Sequence, residues 1–236
     1  MNGRHEQVVL VSGATRGIGY AVTKELLEHG YPLSLGARDP ARLEALFGPT
    51  GPRLAYHRYD ALDAGTAQAW VDATVAQFGR IDALVNNAGT NAPLTLQDDD
   101  EAQLDRLWAI NVKAPLRMAR LCLPHLEASG AGRVINLASL SGKRVRNPQV
   151  GYTMTKFALM GLTHTIRHVA WDKGVRATAL CPGFVRTDLT ANTTKVAPQD
   201  MIPPDTIATL VRTLIELPNN AAVAELLVNC RLEDTL

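Results

Sequence analysis

The segment that most limits the possible folds is "VVLVSGATRGIGYAVTKELLEHG", residues 8–30. Its first run, rich in Val and Leu, reads as a strand buried on both faces. The run stops in a turn carrying Gly13, Gly17 and Gly19, and a helix follows until Gly30 can terminate it. A strand buried on both faces needs helices above and below its sheet. The chain is therefore committed to an α/β architecture with parallel strands.

The remainder repeats the pattern. Strand signals recur at "PLSLGA", "RLAYHRYD", "IDALVNNAG", "RVINLAS", "VRATALCPG" and "AELLVN". Helical signals separate them at "RLEALFG", "AGTAQAWVDATVAQFG", a long stretch over 101–129, a second over about 151–173, and "DTIATLVRTLIEL". Residues 184–203 read as a loop. No Pro/Gly-rich linker, low-complexity tract or repeat divides the chain, so one domain is expected over residues 1–236.

Composition removes several function classes. A net charge of +1 gives no reason to expect nucleic acid or an anionic membrane as partner. The cysteines Cys122, Cys181 and Cys230 lie far apart with no CxxC pair, which fits a reducing cytoplasm. The start "MNGRHEQ" is short and polar, unlike an export signal, and no apolar run approaches a membrane span. The acidic run 98–101 sits where a helix start favours acids, and His164 with His168 lacks a third ligand, so no metal site is expected.

The turn "SGATRGIG" places its glycines as G-x-x-x-G-x-G between a strand and a helix. Glycine lets the backbone approach a pyrophosphate, and free amides at the helix start attract its charge; the alternative is a tight turn with no ligand. Nineteen residues past Gly19 stands Arg38, followed by Asp39 and Pro40. An acid here would hold the ribose hydroxyl of NAD and an arginine the 2′-phosphate of NADP. Asp39 before Pro40 has a structural employment as helix cap. Arg38 is left for the phosphate, with Arg16 able to close on it, so NADP(H) is the preferred cofactor and NAD(H) the alternative.

In "VGYTMTKFAL", Tyr152 and Lys156 fall one helical turn apart on one face. A phenol with a free pKa of about 10 is a poor acid–base group at neutral pH, and a nearby cation lowers that value. Ser139, at the end of the fifth strand, can hydrogen-bond a substrate oxygen near the phenol. Each residue alone has an ordinary structural reading: a helix-start aromatic, a solvated lysine, a turn serine.

Taken together the pieces resemble a classical short-chain dehydrogenase/reductase over nearly the whole chain. They are Gly13, Gly17 and Gly19, Asp60, "NNAG" at 86–89, Asn111 in "INVKAP", Ser139, Tyr152 with Lys156, and "PGFVRTD" from Pro182. The resemblance implies a Rossmann-type sheet of seven parallel strands in the order 3-2-1-4-5-6-7. It implies a catalytic set of Asn111, Ser139, Tyr152 and Lys156, with Asn111 positioning a water in a proton relay and Lys156 also holding the nicotinamide ribose. For the cofactor it implies contacts from Gly13, Thr15, Arg16, Gly17, Ile18 and Gly19 in the turn, and from Arg38, Asp60 and Ala61 at the adenosine end. Asn87, Ala88 and Gly89 would pack on the adenosine side. Pro182, Gly183, Val185 and Thr187 would border the nicotinamide, Thr187 holding its carboxamide. The chain departs from the family pattern at Ser12 (often threonine), at Cys181 (often asparagine), in "TMT" between Tyr152 and Lys156, and in a tail without the usual glycine-rich ending.

The activity implied is interconversion of a carbonyl and a secondary alcohol by hydride transfer, on a small-molecule substrate. A 3-oxoacyl-carrier reductase and a non-catalytic NADP-binding regulator are the alternatives. A sugar-nucleotide epimerase is disfavoured by "NNAG" and by the chain's length. Lys143, Arg144 and Arg146 could greet an anionic substrate or simply be solvated. The helices over 101–129 and 151–173 carry Leu116, Met118, Leu121, Leu159, Met160 and Leu162 around much of their circumference, which predicts helix pairing in a homodimer or homotetramer.

Overall fold

The computed structural model describes residues 6–232, so the polar first five residues and the last four of the tail lie outside the described chain. Seven parallel strands form one sheet in the order β3-β2-β1-β4-β5-β6-β7, as the sequence predicts. They are β1 (Val9–Ser12), β2 (Leu33–Ala37), β3 (Leu54–Arg58), β4 (Ala83–Asn86), β5 (Arg133–Leu137), β6 (Arg176–Pro182) and β7 (Glu225–Val228). Every residue of β1, β2, β4 and β5 is buried, the pattern of strands covered on both faces. β1 pairs with both β2 and β4, Val9 standing beside Leu33 on one side and Ala83 on the other.

The helices divide between the faces. On one, α1 (Gly17–Glu28), α2 (Pro40–Phe47) and α7 (Pro204–Glu216) bring Val22, Leu26, Leu43, Ile207 and Val211 onto the sheet. On the other, α3 (Ala64–Phe78), α5 (Ala114–Ala128) and α6 (Val150–Ala170) contribute Trp70, Met118, Cys122, Leu126 and Ile166. Boundaries follow local chemistry. Asp39 caps α2 by accepting from the Ala41 N–H, with Pro40 in the first turn, the structural employment read from the sequence. Gly30 and Gly79 take left-handed φ of 74° and 72° just beyond α1 and α3.

The stretch over 101–129 is not one regular α-helix. It is α4 (Glu101–Trp108), a π-helical turn over Ala109–Lys113, and α5. Acids at its start are structural: Asp98 closes a turn on Thr95, and Asp100 caps α4 through the Gln103 N–H. The second long helix ends at Ala170 rather than 173. The segment 184–203 holds two short 3-10 turns, Asp188–Thr190 and Pro198–Asp200, and a bridge from Val185 to Ile202. Of the residues expected to drive helix pairing, Met118, Leu159 and Met160 belong to the core; Leu116, Leu121 and Leu162 are half-buried. Among the described residues no helix is long and apolar enough to cross a membrane.

Trp70 shows how tightly the sheet is covered. Its indole donates to Ser34 Oγ at 2.8 Å, and Ser34 shares a 2.6 Å hydrogen bond with Thr74. The ring thus lies locked over Gly36, where an added Cβ would stand 2.6 Å from the indole. Gly36→Ala should destabilise the fold by about 1–3 kcal/mol, the usual cost of overpacking. Urea unfolding checks this through a lowered midpoint at unchanged slope.

Candidate active site

The strands all point their C-terminal ends to one edge, and the candidate residues collect there. Gly13 and Gly17 adopt left-handed φ of 69° and 55°, which their lack of a Cβ permits. Gly19 is required for another reason: a Cβ there would fall 2.2 Å from the Gly13 carbonyl oxygen. The first turn of α1 has no side-chain cap and no acid, so its leading amides are free of a capping side chain, the condition an anion needs there. Thr15 and Ile18 are half-buried on this turn and Arg16 is exposed.

The turn is clamped from β4. Ser12 Oγ accepts from the backbone N–H groups of Asn87 and Ala88, both at 3.0 Å, so serine supplies the hydroxyl that threonine often provides in the family. The Asn87 amide donates to the Ser12 and Gly13 carbonyls at 2.9 and 3.1 Å. Gly89 follows, exposed. Of the residues expected at an adenosine, Arg38 is exposed at the tip of β2, while Asp39 is occupied in capping. One oxygen of Asp60 accepts from the Leu62 N–H, and Arg117 donates to the Ala61 carbonyl at 3.3 Å.

Ser139 stands two residues beyond β5, and its hydroxyl lies within hydrogen-bonding reach of the Tyr152 phenol. Lys156, on the same face of α6, donates from Nζ to the Leu137 carbonyl at 2.7 Å and lies 5.5 Å from the Tyr152 ring centre. The 3-10 turn Leu140–Gly142 fits flat on α6, because a Cβ on Gly142 would meet the Lys156 carbonyl at 2.8 Å.

Electrostatics differ from the sequence expectation here. Burial pushes the Tyr152 phenol up to about 12, the Ser139 hydrogen bond opposing it only in part. By surface area Tyr152 keeps a partly open side, yet desolvation at the phenol outweighs any influence of the neighbouring lysine. Lys156 moves the other way, to about 8, again because burial disfavours its charged form. The phenol's net shift in this nucleotide-free cleft is therefore upward, with burial as its cause.

Asn111 is buried behind this pair. Its side chain exchanges two hydrogen bonds with the Thr90 backbone, both 2.9 Å, and donates to Thr155 Oγ1 at 3.2 Å. It ties the segment after β4 to α6, with both amide protons used. Pro182 ends β6, and Gly183 donates to the Val228 carbonyl at 2.8 Å. Val185 is buried, and the Thr187 methyl lies against Gly17, so both ends of the cofactor set meet. Lys143 is ion-paired with Glu225, 2.7 Å away, which also pairs with His164.

A buried chain of polar groups escaped the sequence reading. Asn86 donates to Asn136 at 2.9 Å, Asn136 to Thr163 at 2.8 Å, and Thr163 to the Leu159 carbonyl at 2.8 Å. It joins β4, β5 and α6. Its only signal in the sequence is an asparagine directly after an apolar run in each of two strands, Asn86 in β4 and Asn136 in β5.

Comparison with known proteins agrees with this geometry. The family model for short chain dehydrogenase matches residues 7–197. The chain belongs to that family. It is 54% identical over 227 residues to an agropine synthesis reductase of Rhizobium rhizogenes, covering 96% of this chain and 53% of that protein. The chain thus spans about half the length of that relative. An alcohol dehydrogenase from the archaeon Thermococcus sibiricus, solved with 5-hydroxy-NADP, superposes with a TM-score of 0.84 at 30% identity, over 94% of this chain and 95% of that one. A 3-ketoacyl-(acyl-carrier-protein) reductase from Brucella melitensis, solved with NADH, gives 0.87 at 25% identity, over 95% and 97%.

The opposed shifts in this short-chain dehydrogenase have a measurable consequence. Between about pH 8 and 10.5 the unfolded chain holds a proton on Lys156 that the folded chain has released, so this residue's contribution makes stability rise with pH there. Tyr152 acts oppositely only from pH 10, its ordinary value, to about 12. Lys156→Met should flatten the rise between pH 8 and 10. Chemical denaturation of both proteins across that range reads it.

Proposed function

We propose that the chain binds NADP(H) and reduces the carbonyl of a small molecule to a secondary alcohol, with Tyr152 as the proton donor. The observation that carries this reading is the meeting of Ser139, Tyr152 and Lys156 at the same sheet edge as an uncapped glycine turn. The residues fit the cofactor: Gly13, Thr15, Arg16, Gly17, Ile18 and Gly19 would take the pyrophosphate, and Arg38 the 2′-phosphate. Asp60 and Ala61 would border the adenine, Asn87, Ala88 and Gly89 the adenosine side, and Pro182, Gly183, Val185 and Thr187 the nicotinamide. Bound there, the nicotinamide supplies the hydride.

The protein's own groups handle the proton. Tyr152, pushed up to about 12, is a protonated phenol throughout the neutral range and presents its O–H to a developing alkoxide. Ser139 holds the substrate oxygen beside it. Lys156, with a pKa of about 8 before any ligand arrives, gains charge when ribose hydroxyls and a growing phenolate surround it. Asn111 acts as a positioning residue for the helix that carries the phenol, through Thr155.

The reductive direction is supported by the name of the agropine synthesis reductase relative, and by a phenol that starts protonated. A 3-oxoacyl-carrier reductase is the second reading, supported by the Brucella neighbour. Commitment of Lys143 to Glu225 removes one cation such a substrate's anionic carrier would use. A non-catalytic regulator would have no need for this triad. Domain, location and assembly follow: one functional unit over 1–236 with its substrate loop at 184–203, and free cysteines suited to the cytoplasm. We also propose a homo-oligomer whose dimer contact is the apolar patch of Leu96, Trp108, Val145, Met154 and Phe157. Leu96 is 83% exposed and Phe157 44%, a patch too apolar for open solvent.

Three measurements test these readings. Tyr152→Phe keeps the ring, so NADPH binding should survive while turnover falls about 10²–10⁴-fold; retained turnover on a good substrate would end the mechanism. Arg38→Ala should weaken NADPH binding by about 1.5–3 kcal/mol, as expected for a charge-assisted bond, and leave NADH nearly unaffected; titration of both nucleotides decides. Phe157→Asp should shift sedimentation toward the monomer, and a wild type already monomeric at micromolar concentration excludes the dimer.

A further inference from the structure

Arg16 and Asp188 lie far apart in the chain and meet across the cleft mouth, Nη1 to Oδ2, at 3.0 Å. Arg16 occupies the cap position of α1, next to the free first-turn amides. Asp188 opens the 3-10 turn Asp188–Thr190, directly after the threonine whose methyl lies against Gly17. The tip Thr187–Asp188 is thus where the segment 184–203 touches the glycine turn.

The segment behind that tip is held by its own bonds. Thr187 and Thr190 cap one another, Arg186 N–H donates to the Ile202 carbonyl at 3.0 Å, and Ile202 N–H to the Phe184 carbonyl at 2.9 Å. The tip is therefore presented as a formed unit rather than as loose chain. A carboxylate and a phosphate offer the same thing to a guanidinium: anionic oxygens in a plane it can fork onto. Asp188 brings such an oxygen to the arginine of a turn built for phosphates.

We propose that Asp188 is a built-in competitor of a dinucleotide phosphate for Arg16. In the nucleotide-free protein the carboxylate occupies the Arg16 guanidinium; on binding, phosphate replaces it there and Asp188 turns away, while Thr187 keeps its place beside the glycine turn. This rests on the nucleotide-binding reading above. Side-chain exposures of 65% and 71% keep the effect small, since exposed ion pairs are worth up to about five-fold in an equilibrium.

Asp188→Asn removes the charge and keeps the shape. Wild type, Asp188→Asn, Arg16→Ala and the double variant are titrated with NADPH and with NADH by calorimetry. Asp188→Asn is expected to bind NADPH about two- to five-fold tighter, and that gain should vanish in the Arg16→Ala background. A gain confined to NADPH assigns Arg16 to the 2′-phosphate; an equal gain for NADH assigns it to the pyrophosphate. Unchanged or weaker NADPH binding, or a gain that persists without Arg16, overturns the proposal. Failure of the wild type to bind either nucleotide would instead strike the nucleotide reading. Limited proteolysis of the nucleotide-free proteins then decides on the pair itself: cleavage within 184–203 should quicken equally in both single variants and no further in the double. Equal rates in all four overturn it.

Discussion

The arrangement depends on two adjacent asparagines at the end of β4. Here the sheet changes direction of growth: β1 and β4 are neighbours, but the connections leaving them run to opposite sides. That crevice is where an open α/β sheet can take a ligand, and it is also where backbone pairing runs out. Asn87 reaches toward β1 and holds the glycine turn; Asn86 reaches toward β5 and, through Asn136 and Thr163, holds α6. One dipeptide thereby sets the distance between the phosphate-facing turn and the helix bearing Tyr152 and Lys156. Each amide is satisfied, which matters because an unpaired buried polar group costs about 1–3 kcal/mol.

Burial governs the electrostatics of the pair on α6. A partly closed cleft disfavours phenolate and ammonium alike, so Tyr152 and Lys156 shift in opposite directions, to about 12 and about 8. In the proposed reaction the lysine is the more useful for this. A cation fully solvated in the empty protein would gain little when a negative charge grows nearby. One already strained toward neutrality gains most at that moment, which is the differential stabilisation that accelerates a step.

Much of this was legible in the sequence because it rests on local chemistry. Strand order followed from the resemblance, strand identity from apolar-rich runs alternating with helical signals, and the cap at Asp39 from Asp-Pro before a helical run. Three features were not legible. The π turn around Asn111 has no residue signature, and the bonds Asn111 makes from it to the Thr90 backbone are tertiary. The phenol's upward shift reflects the sum of surrounding atoms, whereas Tyr-x-x-x-Lys spacing shows only that a cation is near. The core placement of Met118, Leu159 and Met160 is tertiary as well, since an apolar residue on a helix does not reveal which neighbour covers it.

The last consequence concerns the two charged residues after β2. Arg38 and Asp39 are adjacent, and a carboxylate free to turn toward the ribose would repel a 2′-phosphate. Asp39 is instead spent on the Ala41 N–H, with Pro40 fixing the first turn of α2 behind it. The cap therefore does two things with one side chain. It starts the helix, and it holds the negative charge at the backbone of α2, leaving the exposed guanidinium of Arg38 as the group at the strand tip. Cofactor choice in such a site depends as much on what occupies the acid as on the presence of the base.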